Sequence, residues 1–363
     1  MPLMTNYKEL ESILRCPLTR SNLSWLNDGD LQALKSRVQK QELRSCHASF
    51  DAAIWQGAFK ATKFDVYYLV VDDIIYLLPE FALQKQNVLR LAEHDNDMTK
   101  QSVKQFYDSF GWQQESGIFQ DALDSEDLRE VSRDYIEQCH ARLKQHLPAT
   151  GRYLLDVASG PIQYDAYLAY SENYHYRLCA DISLRALQAA KQKLGAKGIY
   201  LLSDVTRLPL QTGKIDAAIS LHTLYHVPKE QQLQGYTEIQ RVLKPKGSSV
   251  VIYSWGRRAL LMNVLMFPVK LWSLLKRLQR TKQTGQTLYF YAHSYEWYRR
   301  HIQRQYDCKL YSWRSVNVPF LKLFIHRKFG GRMLLKAFFW LENRFPQLMG
   351  RIGAYPLFVS TKP

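Results

Sequence analysis

The chain has no closely spaced pair of cysteines, no long apolar run and no glycine-rich dinucleotide fingerprint. Each absence removes a class of protein. Its five cysteines (Cys16, Cys46, Cys139, Cys179 and Cys308) stand singly among 363 residues. Without a Cys-x-x-Cys element, neither a zinc ribbon nor a disulfide framework is expected, which suits a reducing, cytoplasmic setting. No uninterrupted stretch reaches the roughly 20 apolar residues of a membrane-spanning helix. The nearest, Ala259 to Leu275, is broken by Asn263, Pro268 and Lys270. The first residues, Met1-Pro2-Leu3-Met4-Thr5-Asn6, lack the basic-then-apolar layout of a secretory signal. Acidic residues are scarce in one region. From Val251 onward, 20 Lys and Arg stand against Glu296, Asp307 and Glu342, whereas the first 250 residues hold 29 basic and 30 acidic side chains. The net charge of +16 thus belongs to the C-terminal third. That third is either a solvated basic surface or one that attracts lipid headgroups, nucleic acid or a phosphorylated substrate.

What is present suffices for a folded core, with 46% hydrophobic and 13% aromatic residues. Three parts are expected. Residues 1–84 form a small α+β unit in which Val66–Leu78 reads as β, turning at Asp72-Asp73. Residues 85–147 are a connecting segment, with aromatic clusters at Phe106-Tyr107 and Phe110-Gly111-Trp112. A helix over Ser125–Leu147 should bury Leu128, Val131, Tyr135, Cys139 and Leu143. From residue 148 on, strands (Tyr153–Val157, Arg177–Ala180, Ile199–Leu202, Ala217–Leu221, Ser249–Tyr253) alternate with helices (Tyr164–Tyr170, Ser183–Leu194, Lys229–Leu243). That alternation predicts an α/β, doubly wound, mostly parallel sheet.

Three of these strands end in informative residues. Tyr153-Leu154-Leu155-Asp156-Val157 runs into Ala158-Ser159-Gly160, where small side chains let the backbone approach a ligand. Asp181 follows Gly160 by 21 residues and ends the second strand, where a carboxylate accepts ribose hydroxyls. Asp204 ends the third, with Val205 beside it to pack on a ring. Ala158 occupies the place of the first fingerprint glycine and no glycine stands at the third, which argues against a dinucleotide. The spacing suits S-adenosylmethionine better.

The ordered set continues with Leu208-Pro209-Leu210, Ile215-Asp216 and Arg241-Val242-Leu243-Lys244-Pro245-Lys246-Gly247. From Tyr153 to Trp255 the chain resembles the class I S-adenosylmethionine-dependent methyltransferases, closest to the broad type 11 small-molecule group. The resemblance implies a Rossmann-like sheet of seven strands, finishing with Lys309–Val316 and an antiparallel Tyr355–Ser360. It also implies cofactor contacts from Asp156, Ala158, Ser159, Gly160, Asp181, Ile182, Asp204, Val205 and Leu221. In such enzymes an N-terminal aromatic segment often packs over the cofactor, which makes Tyr107 a candidate for the methionine carboxylate; core packing is the alternative. Upstream, Ile13-Leu14-Arg15-Cys16-Pro17 and Ile74-Ile75-Tyr76-Leu77-Leu78-Pro79-Glu80 resemble the Trm112-like domain. Thr19 replaces the second cysteine of that family's first pair and no second pair exists, so the implied zinc ligands are lost.

His222 and His226 follow the fourth strand, where an acceptor would meet the methyl group. Either is a candidate base, His226 ahead of His222, because imidazole titrates near working pH. The alternative is that both only shape the loop. Their spacing lacks a third metal ligand, so no metal site is expected. Two insertions, about 256–290 and 319–353, should overhang the site as helical lids. Leu260, Leu261, Val264, Leu265, Phe267, Trp272, Leu274 and Leu275 precede Lys276-Arg277, and Leu334, Leu335, Phe338, Phe339 and Trp340 sit among Arg332, Lys336 and Arg344. Apolar faces flanked by Lys, Arg and Trp suit helices lying in a membrane interface, so an anionic membrane surface is a candidate partner. A lid burying these residues against each other is the alternative. The expected acceptor is a small, hydrophobic or lipid-linked molecule. Nucleic acid is disfavoured, because these aromatics accompany long aliphatic runs, and RNA methylation and a non-catalytic binding protein stay as alternatives.

Overall fold

The computed structural model describes residues 6–46, 54–85, 98–269, 271 and 288–363. An N-terminal meander of β1 (Leu23–Trp25), β2 (Trp55–Ala61), β3 (Tyr67–Val71) and β4 (Ile74–Tyr76) comes first. A small ribbon of β5 (Gln114–Glu115) and β6 (Ile118–Phe119) follows. Next are β7 (Gly151–Val157), β8 (Tyr174–Asp181), β9 (Gly198–Leu202), β10 (Ile215–Leu221) and β11 (Leu243–Ile252). The last strands are β12 (Cys308–Arg314) and β13 (Tyr355–Thr361). All but the ribbon join one eleven-stranded sheet, ordered β1-β2-β3-β4-β9-β8-β7-β10-β11-β13-β12.

The expected seven strands are present, with β9 to β11 parallel and β13 antiparallel to both neighbours. Their centre is buried on both faces: Leu154, Leu155, Val157, Leu178, Leu201, Ala218 and Ile219 have no more than traces of accessible surface. That explains the near-continuous apolar runs. The N-terminal unit does not stand apart from this sheet. Strand β4 pairs in parallel with β9, Ile74 opposite Tyr200 and Tyr76 opposite Leu202, covering an edge that would otherwise expose unpaired backbone. The turn at Asp72-Asp73, with φ of 51° and 57°, has the left-handed form of a two-residue hairpin. Lys191 ties it to the neighbouring helix, reaching Asp72 at 2.7 Å and Asp73 at 3.1 Å.

Helices cover the sheet. They include α1 (Asp28–Gln39), α2 (Met98–Phe106), α3 (Glu130–Lys144), α4 (Leu184–Leu194) and α5 (Gln232–Val242), then α6 (Val318–Phe324), α7 (Gly331–Arg344) and α8 (Pro346–Ile352). Ser183 caps α4 by accepting from the Ala186 N–H at 3.1 Å. Helix α3 starts later than expected and leaves Leu128 exposed, because the Asp127 carboxylate takes Ser132 and Arg129 at 2.6 and 2.7 Å and fixes a non-helical lead-in. The expected helix at Tyr164–Tyr170 is a 3-10 segment, Asp165–Ser171. Arg177 takes the Tyr167 carbonyl at 2.6 Å, removing an acceptor that an α-helix needs.

The second insertion consists of α6, α7 and α8. It is tied down by Glu342, which accepts from Tyr135 Oη at 2.7 Å, Arg142 at 3.1 Å and Ser315 N at 2.7 Å. Of the first insertion, the structure describes a helix at Leu260–Leu265 and the residues just after it. Trp272, Leu274, Leu275 and the Lys276-Arg277 pair lie outside the described residues. Among the described residues, no helix is long and apolar enough to cross a membrane.

Candidate functional site

Strand register decides where the site lies. Val157 stands opposite Ala180, Asp181 opposite Leu202, and Asp156 opposite Ile219, so the carboxyl ends of β7 to β10 finish level. Beyond them is a cavity of about 210 Å³. It is lined by Ala158, Ser159, Gly160, Asp181, Ile182, Asp204, Val205, Leu221, His222, His226 and Tyr107. The expected cofactor residues converge there with one exception. Asp156 does not line the cavity. Its carboxylate is buried against Arg177, whose Nε donates to it at 3.0 Å, and the pair braces β7 against β8. The acid that ends the first strand is therefore placed as a structural group, not as a ligand contact.

Backbone strain gathers at the cavity. Ala158, Ile162 and His222 have φ of 52°, 53° and 60°, a region that costs L-residues roughly 1–2 kcal/mol each. Gly160, at φ 57°, meets the Trp112 ring so closely that a Cβ would come within 3.2 Å of it. Glycine is thus needed at this position for two reasons, and the first fingerprint place tolerates alanine only under strain.

Asp181 is buried, and its two oxygens accept the Gly160 and Ser183 N–H groups, each at 2.8 Å. Burial raises its pKa to about 6 despite those donors. Asp204 caps the following turn by accepting from Thr206 N at 2.8 Å, while its other oxygen holds Lys100 Nζ at 2.5 Å. Lys100 also donates to Thr206 Oγ1 at 3.0 Å.

Residues 98–125 close the cavity from above. Tyr107 stacks on Trp112 with centroids 4.6 Å apart, and it meets His226 edge-on at 6.2 Å. Asp108 latches this segment to the start of α4. Ser183 Oγ donates to its carboxylate, Arg185 donates to its carbonyl at 3.0 Å, and Lys104 pairs with its carboxylate at 2.6 Å. Burial beside Asp121 and Asp181 holds the Tyr107 hydroxyl protonated, with its pKa well above that of free tyrosine.

The two histidines differ. His226 Nδ1 lies 2.7 Å from the Tyr289 carbonyl, which accepts only from a protonated nitrogen, so Nε2 keeps its lone pair. Burial lowers its pKa to about 4. His222 Nδ1 is 3.1 Å from Tyr225 Oη, and its ring packs on Trp313 at 4.5 Å and Tyr355 at 5.4 Å. Burial, followed by the nearby Arg314 charge, lowers its pKa too. Both imidazoles are neutral at ordinary pH.

The remaining wall comprises Asp121, Ser125, Glu126, Tyr164, Tyr167, Tyr225, Arg314 and Tyr355. Of these, the sequence pattern marks Tyr164, as the start of the expected helix Tyr164–Tyr170. The available signal is a charged residue, Arg314, at the end of a strand between Trp313 and Ser315. No local pattern pairs it with Glu126, 188 positions earlier.

Residues 155–251 match the family described as "Methyltransferase domain", a segment running from β7 to β11. The chain thus carries a class I S-adenosylmethionine-dependent methyltransferase domain, and S-adenosylmethionine is its cofactor. The lining fits that cofactor: a glycine turn in the left-handed region, closely covered by Trp112, and carboxylates at two successive strand ends. Similar solved structures include geranyl diphosphate C-methyltransferase from Streptomyces coelicolor (14% identity, 74% of this chain and 99% of that one, TM-score 0.45). Phosphoethanolamine N-methyltransferase 1 of Haemonchus contortus is another (11% identity, 73% and 49%, TM-score 0.47). A third is the Haloferax volcanii complex between the Trm112 methyltransferase activator and a putative methyltransferase (16% identity, 64% and 92%, TM-score 0.42). These likenesses are too distant to add to the assignment, which rests on the matched segment and the strand order. No curated sequence matches the chain significantly.

Proposed function

We propose that the protein methylates an O, N or C atom of a small acceptor with a hydrophobic or lipid-linked body. The observation that carries this reading is one enclosed cavity bordered by level strand ends on one side and by an aromatic wall on the other. In it, Ala158, Ser159 and Gly160 cradle the methionine part, with Tyr107 above. Asp181 accepts the ribose hydroxyls, and Asp204 accepts the adenine amino group, sharing its oxygen with Lys100. Ile182, Val205 and Leu221 pack on the ring and its surroundings. When bound, S-adenosylmethionine supplies an electrophilic methyl group. The chain's own work is to exclude water, align the acceptor and take up a proton, for which the free Nε2 of His226 is the better placed group. His222, held by Tyr225 and two rings, positions the wall. Residues 1–84 we read as a Trm112-like unit without zinc: Cys16 Sγ accepts from Thr19 N at 3.3 Å and lies 3.2 Å from Tyr68 Oη. Residues 85–147 we read as a connecting helical and aromatic segment and 148–363 as the methyltransferase part.

The test is to incubate the protein and labelled S-adenosylmethionine with fractionated cell extract. Label entering a small, organic-extractable product supports the reading, and label entering only RNA, or no transfer at all, overturns it.

A specific observation also favours the anionic membrane partner. Leu260 and Val264, one turn apart on the helix Leu260–Leu265, and Phe267 and Leu271 just beyond it are each more than half exposed. On α7, Gly331, Leu335, Phe338 and Glu342 face inward, while Met333, Ala337 and Trp340 form the opposite, outward stripe. Exposed Arg257, Arg258, Arg332 and Lys336 flank them, as in helices lying on anionic lipid. Co-sedimentation with phosphatidylserine vesicles at low salt should be reduced at least several-fold by Phe267→Ser with Trp340→Ser. Equal sedimentation of the variant and the unchanged protein would remove this partner.

A further inference from the structure

The least explained group in the cavity is Arg314. It ends β12 at an irregularity: Ser312 pairs with Pro356 and Arg314 with Tyr355, so Trp313 is an extra residue that breaks the register. Such bulges re-aim side chains, often beside binding sites. Here Arg314 is turned into the cavity, where it is 1% exposed. Its Nη1 donates to Glu126 Oε1 at 2.6 Å. The guanidinium lies over the Trp313 and Tyr355 rings at 4.8 and 5.1 Å. Among the described residues that is its whole set of partners, and Nε is enclosed with no acceptor.

Five N–H donors with one protein acceptor in a buried site are costly unless something else takes the rest. Burial in the aromatic wall leaves no ready substitute from bulk water. Among the described lining residues, the other cation is Lys100, and it is already committed to Asp204 and Thr206. Glu126 does not compete for an incoming group at Arg314, because its Oε1 also accepts the Asp127 N–H at 3.0 Å and faces the Nη1 side. A planar fork of spare donors fits an oxyanion better than a neutral carbonyl or an amine.

We propose that the methyl acceptor carries a carboxylate or phosphate that docks on Arg314, with Tyr164, Tyr167 and Tyr355 enclosing the part next to it. This rests on the methyltransferase reading and narrows its substrate class to an amphiphile with an anionic group. Arg314 is then a specificity-determining residue, fixed in orientation by Glu126.

The test uses the full chain loaded with S-adenosylhomocysteine and four probes of one chain length: octanoate, octyl phosphate, octanamide and octylamine. Calorimetric affinity should favour at least one of the two anions over octanamide by about ten-fold or more, and the stronger anion identifies the source chemistry. The paired variant Glu126→Gln with Arg314→Gln should lose that preference while keeping its affinity for S-adenosylhomocysteine. Arg314→Lys, which retains the charge but not the fork, should keep only part of it. Equal binding of the amide and both anions, or tightest binding of octylamine, overturns the proposal. If the paired variant fails to fold, the probe series on the unchanged protein decides alone. If S-adenosylhomocysteine does not bind, the cofactor reading fails, and the same series without it still decides whether the cavity selects oxyanions.

Discussion

At the cofactor end of the cavity, the lining groups Ala158 to Gly160, Asp181, Asp204 and Leu221 each lie at a strand end or within three residues beyond it. At the other end, Glu126 precedes a helix, Arg314 ends a bulged strand and Tyr355 begins the next, with three helices between the last two. The first end is set by backbone register, which any sequence forming those strands reproduces. The second is set by side chains that meet only after the whole sheet has closed. Chemistry shared across a fold sits comfortably on the first kind of construction, and a particular specificity on the second.

The sharpest way to break this contrast is to remove a long-range support of the second end. Glu342→Ala strips the acceptor from Arg142, Tyr135 and Ser315, next to Arg314 in sequence. Losing one partner of a buried pair typically costs about 3–5 kcal/mol, and denaturant unfolding should show a loss of that size. A loss under about 1 kcal/mol would mean that the wall is not held this way.

Next in size, Asp181→Ala should weaken S-adenosylmethionine binding about 100-fold, roughly 2.7 kcal/mol, by removing ribose acceptors and freeing two buried N–H groups. Calorimetry measures it. Trp112→Ala, which uncovers the Gly160 turn, should cost about ten-fold in the same titration through lost packing, with a smaller effect on unfolding than Glu342→Ala.

The pH dependence is gentler. Asp181 titrates near 6 in the cofactor-free protein because burial disfavours its charge. Ribose hydroxyls donate to the ionised form, so affinity should be full above pH 6 and fall by up to about ten-fold per unit below it, with proton release on binding near pH 6. The sign for stability is opposite. The folded cofactor-free protein holds a proton that the unfolded chain gives up between the ordinary carboxylate pKa and 6, so this group's contribution weakens as pH rises through that window. His226, lowered to about 4, should add no transition to cofactor affinity between pH 5 and 8. Calorimetry in buffers of different ionisation enthalpy checks both.

These differences also explain what the sequence disclosed. Strand ends are local events, so Gly160, Asp181 and Asp204 could be read from an apolar run, a turn and an acid. Asp156 fits the same pattern but is held by Arg177 from the adjacent strand, and nothing local distinguishes a ligand from a brace. The join of β4 to β9 depends on residues more than 120 positions apart, so the N-terminal unit read as separate although it extends the sheet. The 3-10 segment at Asp165–Ser171 was missed for a related reason, because the competing donor for its carbonyl lies on β8. Arg314 and Glu126 had no pattern to find. The apolar insertions were visible by composition, but which of their residues face outward needed α7 and the Leu260–Leu265 helix in place.

The most direct test is calorimetric titration of S-adenosylhomocysteine into three proteins: the unchanged chain, Asp181→Ala, and Glu126→Gln with Arg314→Gln. Binding to the first and third with similar affinity, and about 100-fold weaker binding to the second, is the expected result. No binding to the unchanged chain, or equal losses in both variants, would contradict a cavity divided between a cofactor end and an acceptor end.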